Sequence, residues 1–492
     1  MDNALLIGLL LIVPCAGGGI CAAMRGRRRI MAAICMTVGI WAILAGIVCR
    51  RTFVDGSFAA AEKTFYVDAL SAYHLFVMML VFAAASIYAV GYFNQEFKAG
   101  HMTQRGLRQF AGLWCGALAA MSLSLISNNL GIMWVGIEAT TLLTAFLICI
   151  PRKPASLEAM WKYLMICSIG VAFAFLGTLI IAMSSGGTHL GLSRALLWTE
   201  LLDKAAFLNP KLLKIAFLCL LVGYGTKAGL APMHTWLPDA HSQAPAPVSA
   251  MFSGFMLNAA LYCIMRYVPI VEKSTGHTGW SLGLLALFGI ISILVAAAFI
   301  VLQRDAKRLL AYSSVEHIGI ITLAYGLGGL GTFAALFHTL NHSICKSLAF
   351  FSIGRLGQTY GSHEMTKMSG SVAGAPVWGT GLFGSLLTLI GVAPFAIFMS
   401  EFQVLKAAMD KHWTIGVILF LGGIGVVFVG ALRHAIGMAW GQPSPLLTPE
   451  KAGVIEKVLA FAPLVFLLGL GIWIPGPLLK MLTQAASILR TY

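Results

Sequence analysis

Residues 282–302 read LGLLALFGIISILVAAAFIVL, a stretch without a single charged residue. Coiled as a helix at about 1.5 Å per residue, it crosses the roughly 30 Å of hydrocarbon in a bilayer. Apolar runs of about 18 to 25 residues recur along the whole chain. Of its 492 residues 59% are hydrophobic and 10% charged, whereas about a quarter of a soluble domain is charged. The composition therefore suits a bilayer as solvent. Barrel strands would be short and alternating, so the predicted class is an all-α polytopic membrane protein.

Apolar runs set against polar breaks predict about fourteen spans, near 4–23, 30–49, 73–94, 109–127, 130–150, 162–184, 211–230, 247–269, 280–302, 309–328, 332–354, 376–398, 414–440 and 454–475. The longest polar connections, near 50–72 and 186–210, leave no room for a soluble domain. Two spans are interrupted. The seventh runs through Lys227 into Gly229, Pro232, the polar string His234 to Ser242, and Pro245; the twelfth meets Gly391 and Pro394 before Ser400 and Glu401. Such breaks are tolerated where they line a polar cavity. Their separation by five spans suggests two inverted five-helix repeats. The expected units are residues 1–105 (helices 1 to 3), 106–270 (helices 4 to 8), 271–441 (helices 9 to 13) and 442–492 (helix 14).

A net charge of +15 raises the question of nucleic acid, but the basic residues sit in short loops between spans. Arg25, Arg27, Arg28 and Arg29 follow the first span, and Lys98, Arg105 and Arg108 follow the third. By the positive-inside rule these loops are cytoplasmic and both termini lie outside. No nucleic-acid partner is expected. The first span has arginines after it and no basic region before it, so it reads as a retained helix and not a signal peptide. The ten cysteines are scattered through apolar segments, without Cys-x-x-Cys pairs or metal-type His/Cys spacing. Neither a metal nor a cofactor is expected in this chain.

A charge at the bilayer centre costs at least about 2.5–3.5 kcal/mol, so each needs a partner, a hydrated cavity or a function. Glu138 lies in the middle of the fifth span and Lys227 late in the seventh; Lys162, near the start of the sixth, is a possible partner for Glu138 or an interfacial anchor. In the tenth span Glu316 and His317 are adjacent. In the eleventh, His338, His342 and Lys346 recur at i, i+4 and i+8, which stacks them on one helix face over about 12 Å. Glu401 follows the twelfth-span break. Asp305 is either a solvated loop charge or a helix cap. His234, Asp239, His241 and Asn258 are auxiliary candidates. A set that alternates acids and bases, hydrated at broken helices, can pass a proton as ion pairs open and close.

The segments KAGLAPMHTWLPDAHSQAPAPVSA (227–250), QRDAKRLLAYSSVEHIG (303–319) and FHTLNHSICKSLAF (337–350) resemble the proton-translocating, antiporter-like subunits shared by respiratory complex I, multisubunit sodium/proton antiporters and membrane-bound nickel–iron hydrogenases. The resemblance, over roughly residues 65–440, implies a fourteen-helix fold with broken seventh and twelfth helices and a central polar axis. It implies a proton path through Glu138, Lys162, Lys227, His317, Lys346 and Glu401. Asn258 stands where one complex I subunit of the family carries a lysine. With Glu401 and the absence of a long amphipathic tail, this makes the chain most similar to component F of the hydrogenase-four and formate hydrogenlyase type.

That branch implies other membrane subunits and a peripheral redox arm as partners, with iron–sulfur clusters and a nickel–iron centre in those subunits. It also implies a bacterial or archaeal cytoplasmic membrane. Alternatives are a complex I-type NADH:quinone oxidoreductase subunit and a cation/proton antiporter or inorganic-carbon uptake subunit. A third class, a haem-binding cytochrome using His317, His338 or His342, would show a Soret band.

Overall fold

The computed structural model describes residues 2–186, 191, 194–442 and 452–490 and is almost entirely helical. Part of the connection expected at 186–210, and part of the stretch after residue 442, lies outside the described residues. Helices α1 (Asn3–Ala23), α2 (Arg27–Asp55) and α3 (Ala69–Lys98) precede α4 (Gln104–Ile126), α5 (Leu130–Ile148) and α6 (Pro154–Ser184). Short α7 (Trp198–Asp203) leads to α8 (Pro210–Ala228) and α9 (Trp236–Gln243). Helix α10 (Ala246–Met251) passes through a π-helical turn into α11 (Leu257–Ser274), followed by α12 (Trp280–Ile300), α13 (Ala306–Leu327) and α14 (Leu330–Tyr360). After α15 (Ser371–Gly374) come α16 (Pro376–Leu389), α17 (Ala396–Asp410), α18 (Thr414–Ala439), α19 (Val454–Ile472) and α20 (Gly476–Ile488).

Among the described residues, ten helical segments are long and apolar enough to cross a membrane. The protein is a multi-pass membrane protein. The remaining expected spans coincide with α8–α9, α13, α14 and α16–α17, where polar side chains or a helix break lower the apolar character. The expected loop at 50–72 contains a small antiparallel hairpin, Phe58–Ala60 with Phe65–Val67, in which Phe58 faces Val67. Three-residue strands are too short to stand out in a sequence.

The two breaks share one local design. Helix α8 ends at Gly229 (φ +80°) and the chain continues Leu230-Ala231-Pro232; after α16 comes Gly391 (φ +71°), then Val392-Ala393-Pro394. Both Ala–Pro peptides are cis. The left-handed backbone favours glycine, and a Cβ would also collide: at Gly229 with Leu237 Cδ1 (2.5 Å), at Gly391 with Glu401 Oε2 (2.2 Å).

The segment from Ala246 to Ser274 has its apolar stretch wholly buried, as expected of a helix apolar on all sides. Among the charged residues of this segment, which sequence reasoning leaves aside, Arg266 lies deepest in the expected span. Its guanidinium grips Asp68 at the start of α3 in a two-pronged ion pair, Nη1 to Oδ2 at 2.5 Å and Nη2 to Oδ1 at 2.7 Å, and also donates to Tyr262 and Ser71. Elsewhere small residues let helices touch backbone to backbone. Gly289 of α12 packs on Gly319 and Leu323 of α13, and Gly223 of α8 on Gly170 and Ala174 of α6.

Candidate functional site

Lys227 occupies the last turn of α8, directly before the break, and is fully buried. Its ammonium donates to the hydroxyl of Tyr163 from α6 and lies 4.6 Å from that ring's centroid. The Tyr163 oxygen is 2.6 Å from Thr144 Oγ1 of α5, and its ring packs edge-on to Trp236 across the break. Nearby on α5, Glu138 is half-buried; one carboxylate oxygen accepts from Ser168 Oγ at 3.1 Å and the other is buried without a protein partner.

Lys162 is not the partner of Glu138. It sits at the surface, with its side chain 47% exposed, bound to Glu158 (2.7 Å) and Asp239 (3.2 Å); Asp239 also pairs with Arg308 at 2.5 Å. Helical geometry explains the correction. Adjacent residues point about 100° apart, so Tyr163 faces Lys227 while Lys162 faces out. Ser168 lies about 9 Å further along α6, at the level of Glu138. Exposed pairs are worth about 0–1 kcal/mol, so Lys162→Ala should leave proton transport in proteoliposomes within about twofold of wild type. Tyr163→Phe, which strips Lys227 of its hydroxyl partner, should lower it clearly. A Lys162→Ala loss equal to that of Tyr163→Phe would overturn this ranking.

The second half is more continuous. His317 Nδ1 of α13 is 2.9 Å from His338 Nε2 of α14, and His338 Nδ1 is 2.9 Å from Ser400 Oγ of α17. The next residue, Glu401, is buried with its carboxylate against Gly391 at the break. One turn along α14 from His338, the His342 ring lies 5.1 Å from that of His317. One turn further, Lys346 is fully buried and donates to the Leu310 carbonyl at 2.9 Å. Glu316 is buried on the facing helix with one oxygen unpartnered.

Asn258 of α11 donates to Ser343 Oγ of α14 at 3.1 Å, and Ser253 and Ser314 are 2.7 Å apart, so polar contacts join the two halves. His241 is fully buried and stacks on Phe350 (4.9 Å), and His234 packs edge-on to Tyr312. Unpartnered buried atoms recur along this line: Glu138 Oε2, both His241 nitrogens, Asn258 Oδ1, Glu316 Oε2, His317 Nε2 and both His342 nitrogens. Buried polar groups require partners, which water supplies in a polar interior.

Asp305 is a helix cap, accepting from Arg308 N at 2.9 Å; burial pushes its carboxyl above the ordinary range. It borders a cavity of about 1060 Å³ at one end of the helices, together with Lys307, Lys153, Glu96 and His363. Burial, then Lys307 and Lys153, push the His363 imidazole down to about 3, so that this histidine is neutral at physiological pH. Among the described residues no group of three His, Cys, Asp or Glu side chains is arranged to hold a metal ion. Sequence reasoning missed Tyr163, Ser168 and Ser400, hydroxyls whose role depends on a neighbouring helix.

Residues 127–428, which include Glu138, Lys227, the histidine cluster and Glu401, match the family described as NADH:quinone oxidoreductase/Mrp antiporter, TM. The chain belongs to that family. This antiporter-family chain is 35% identical to the "Hydrogenase-4 component F homolog" of Methylacidiphilum infernorum over 89% of its own length and 92% of that protein. It is 29% identical to "Hydrogenase-4 component B" of Escherichia coli, spanning 77% of itself and 56% of that protein. Among solved structures, its fold resembles a chain of the membrane-bound sulfane sulfur reductase, an archaeal respiratory membrane complex (TM-score 0.87, 23% identity, 99% and 98% of the two chains). It also resembles a chain of the Mrp complex from Dietzia sp. DQ12-45-1b (TM-score 0.85, 21% identity, 99% and 97%).

Proposed function

We propose that this chain is a proton-translocating membrane subunit of a redox-driven complex of the hydrogenase-four or formate hydrogenlyase type. The observation that carries the proposal is the buried relay His317–His338–Ser400, flanked by Lys346 and Glu401 inside the helical bundle. A histidine can take a proton on one ring nitrogen and release one from the other. His317 and His338, linked nitrogen to nitrogen, extend that exchange toward Ser400 and Glu401. In the first half, Glu138, Ser168, Tyr163, Thr144 and Lys227 offer a second set of proton-binding and hydroxyl groups. The Ser253–Ser314 and Asn258–Ser343 contacts are the meeting points of the halves.

Fourteen spans and two inverted repeats, residues 106–270 and 271–441, belong to this reading, supported by the shared Gly-x-Ala-Pro breaks. So does an assembly in a bacterial or archaeal cytoplasmic membrane, both termini outside. There, other membrane subunits and a peripheral arm carry the iron–sulfur clusters and the nickel–iron centre. The similarity to the component F homolog supports this branch over a complex I subunit or a cation/proton antiporter. In the assembled complex in proteoliposomes, Glu138→Gln should preserve assembly and electron transfer while lowering dye-reported proton uptake. Unchanged uptake would refute the role of Glu138. Transport that needs no partner redox subunit would favour the antiporter reading.

A further inference from the structure

Away from the polar axis, at the arginine-rich end of the bundle, helices α1, α4 and α5 border an open pocket of about 640 Å³, within the size range of small-ligand sites. Arg105, Arg108 and Arg152 line it, with no acidic residue among the lining. Arg105 and Arg108 are three residues apart on α4 and therefore share a face. Arg152 belongs to the turn between α5 and α6. Its φ of +49° is uncommon outside glycine and marks a conformation that its surroundings must hold. In it, the guanidinium donates to Gln109 Oε1 of α4 at 2.8 Å, one turn from Arg105. Neither Arg105 nor Arg108 has a carboxylate partner among the described residues.

The rest of the wall is apolar: Gly112, Leu113, Phe146 and Ile150. Phe146, in the last turn of the spanning helix α5, is 56% exposed. The floor forms where α1 and α4 approach closely: a Cβ added at Gly18 would lie 3.4 Å from the Gly112 carbonyl oxygen. Arg25 to Arg29 begin three residues beyond Ala22 of the same wall. Three cationic forks over an apolar slot at the end of membrane helices match a phosphodiester with attached acyl chains. Basic pockets of this kind between spans bind acidic lipid headgroups, and planar guanidinium groups suit phosphate oxygens.

We propose that an anionic phospholipid occupies this pocket, its phosphate held by Arg105, Arg108 and Arg152 and one acyl chain lying along Leu113 and Phe146. The complex containing the full chain, exchanged into nanodiscs of phosphatidylcholine with a minor share of phosphatidylglycerol, should retain phosphatidylglycerol selectively through delipidation, as read by native mass spectrometry. R105Q/R108Q should weaken retention roughly thirtyfold, the product of two arginine contributions near a membrane surface. R105K/R108K should keep most of it. Arg152→Gln, in a surface turn, gives a second test with a smaller loss should the double variant not assemble.

Equal retention of the two lipids by wild type, or undiminished retention by both glutamine variants, would overturn the proposal. Displacement by inorganic phosphate as effective as by phosphatidylglycerol would make this a free-anion site and overturn the lipid assignment. Retention by the isolated chain but not by the complex would show that a neighbouring subunit covers the pocket, with the same consequence.

Discussion

Replacing Lys346 with alanine should cut proton movement by roughly 10²–10⁴-fold, the scale of a lost acid–base group, while electron transfer in the redox-driven complex proposed above survives in part. Lys346 is fully buried, its hydrogen bond runs to the Leu310 carbonyl across the α13–α14 contact, and His342 and Glu316 lie beside it. That carbonyl accepts a hydrogen bond but cannot exchange a proton, so any proton the amine passes on must go to another group. The His317–His338–Ser400 hydrogen bonds do not involve Lys346 and should persist in the variant. The defect would then be a gap in the path and not a collapse of it. Lys346→Arg separates two roles. A guanidinium keeps the charge but does not deprotonate, so it should fail like alanine if the amine must release its proton, and succeed if charge suffices. Unchanged pumping in Lys346→Ala, measured by dye quenching in proteoliposomes, would refute the assignment.

Helical period made some of this site readable from the sequence and hid the rest. His338, His342 and Lys346 were legible as one face because 3.6 residues per turn is a fixed geometry. The two breaks were legible because glycine and proline constrain the backbone wherever they occur. The same reasoning could not say what that face meets: Ser400 reaches His338 only because α17 packs on α14, and serine is an ordinary residue in an apolar helix. Lys162 went astray for a related reason. Its charge marks it in the sequence, while its neighbour Tyr163, one residue on and pointing inward, holds Lys227. Asn258 stands out in the sequence as a departure from a lysine-bearing relative, yet its partner Ser343 lies on a different span. Arg266 had a visible signal, a lone arginine in a span, but its partner Asp68 stands in a connection nearly two hundred residues earlier.

Asp68→Ala should remove most of the assembled chain from the membrane. Breaking one partner of a buried ion pair costs about 3–5 kcal/mol because the remaining charge is left uncompensated, and domains have only about 5–15 kcal/mol of stability. The Arg266 side chain is 4% exposed and that of Asp68 1%, so water cannot take over. The carboxylate also caps α3 through Ser71 N at 3.0 Å, adding about 1 kcal/mol to the loss. Replacing both charges, as Asp68→Ala with Arg266→Met, removes the uncompensated guanidinium and should recover a substantial part of the stability, since buried pairs exchanged for apolar residues are often near neutral. Detergent-solubilised melting curves of the two single variants and the double variant test this. If the double variant loses the sum of the two single losses, the pair is not coupled and the explanation fails. A coupled pair would mean that α11, the largely buried helix that carries Asn258 to Ser343, is locked in depth against α3 by this ion pair together with the hydrogen bonds of Arg266 and Tyr262 to Ser71. Proton transfer between the halves would then depend on a structural ion pair that never handles the proton.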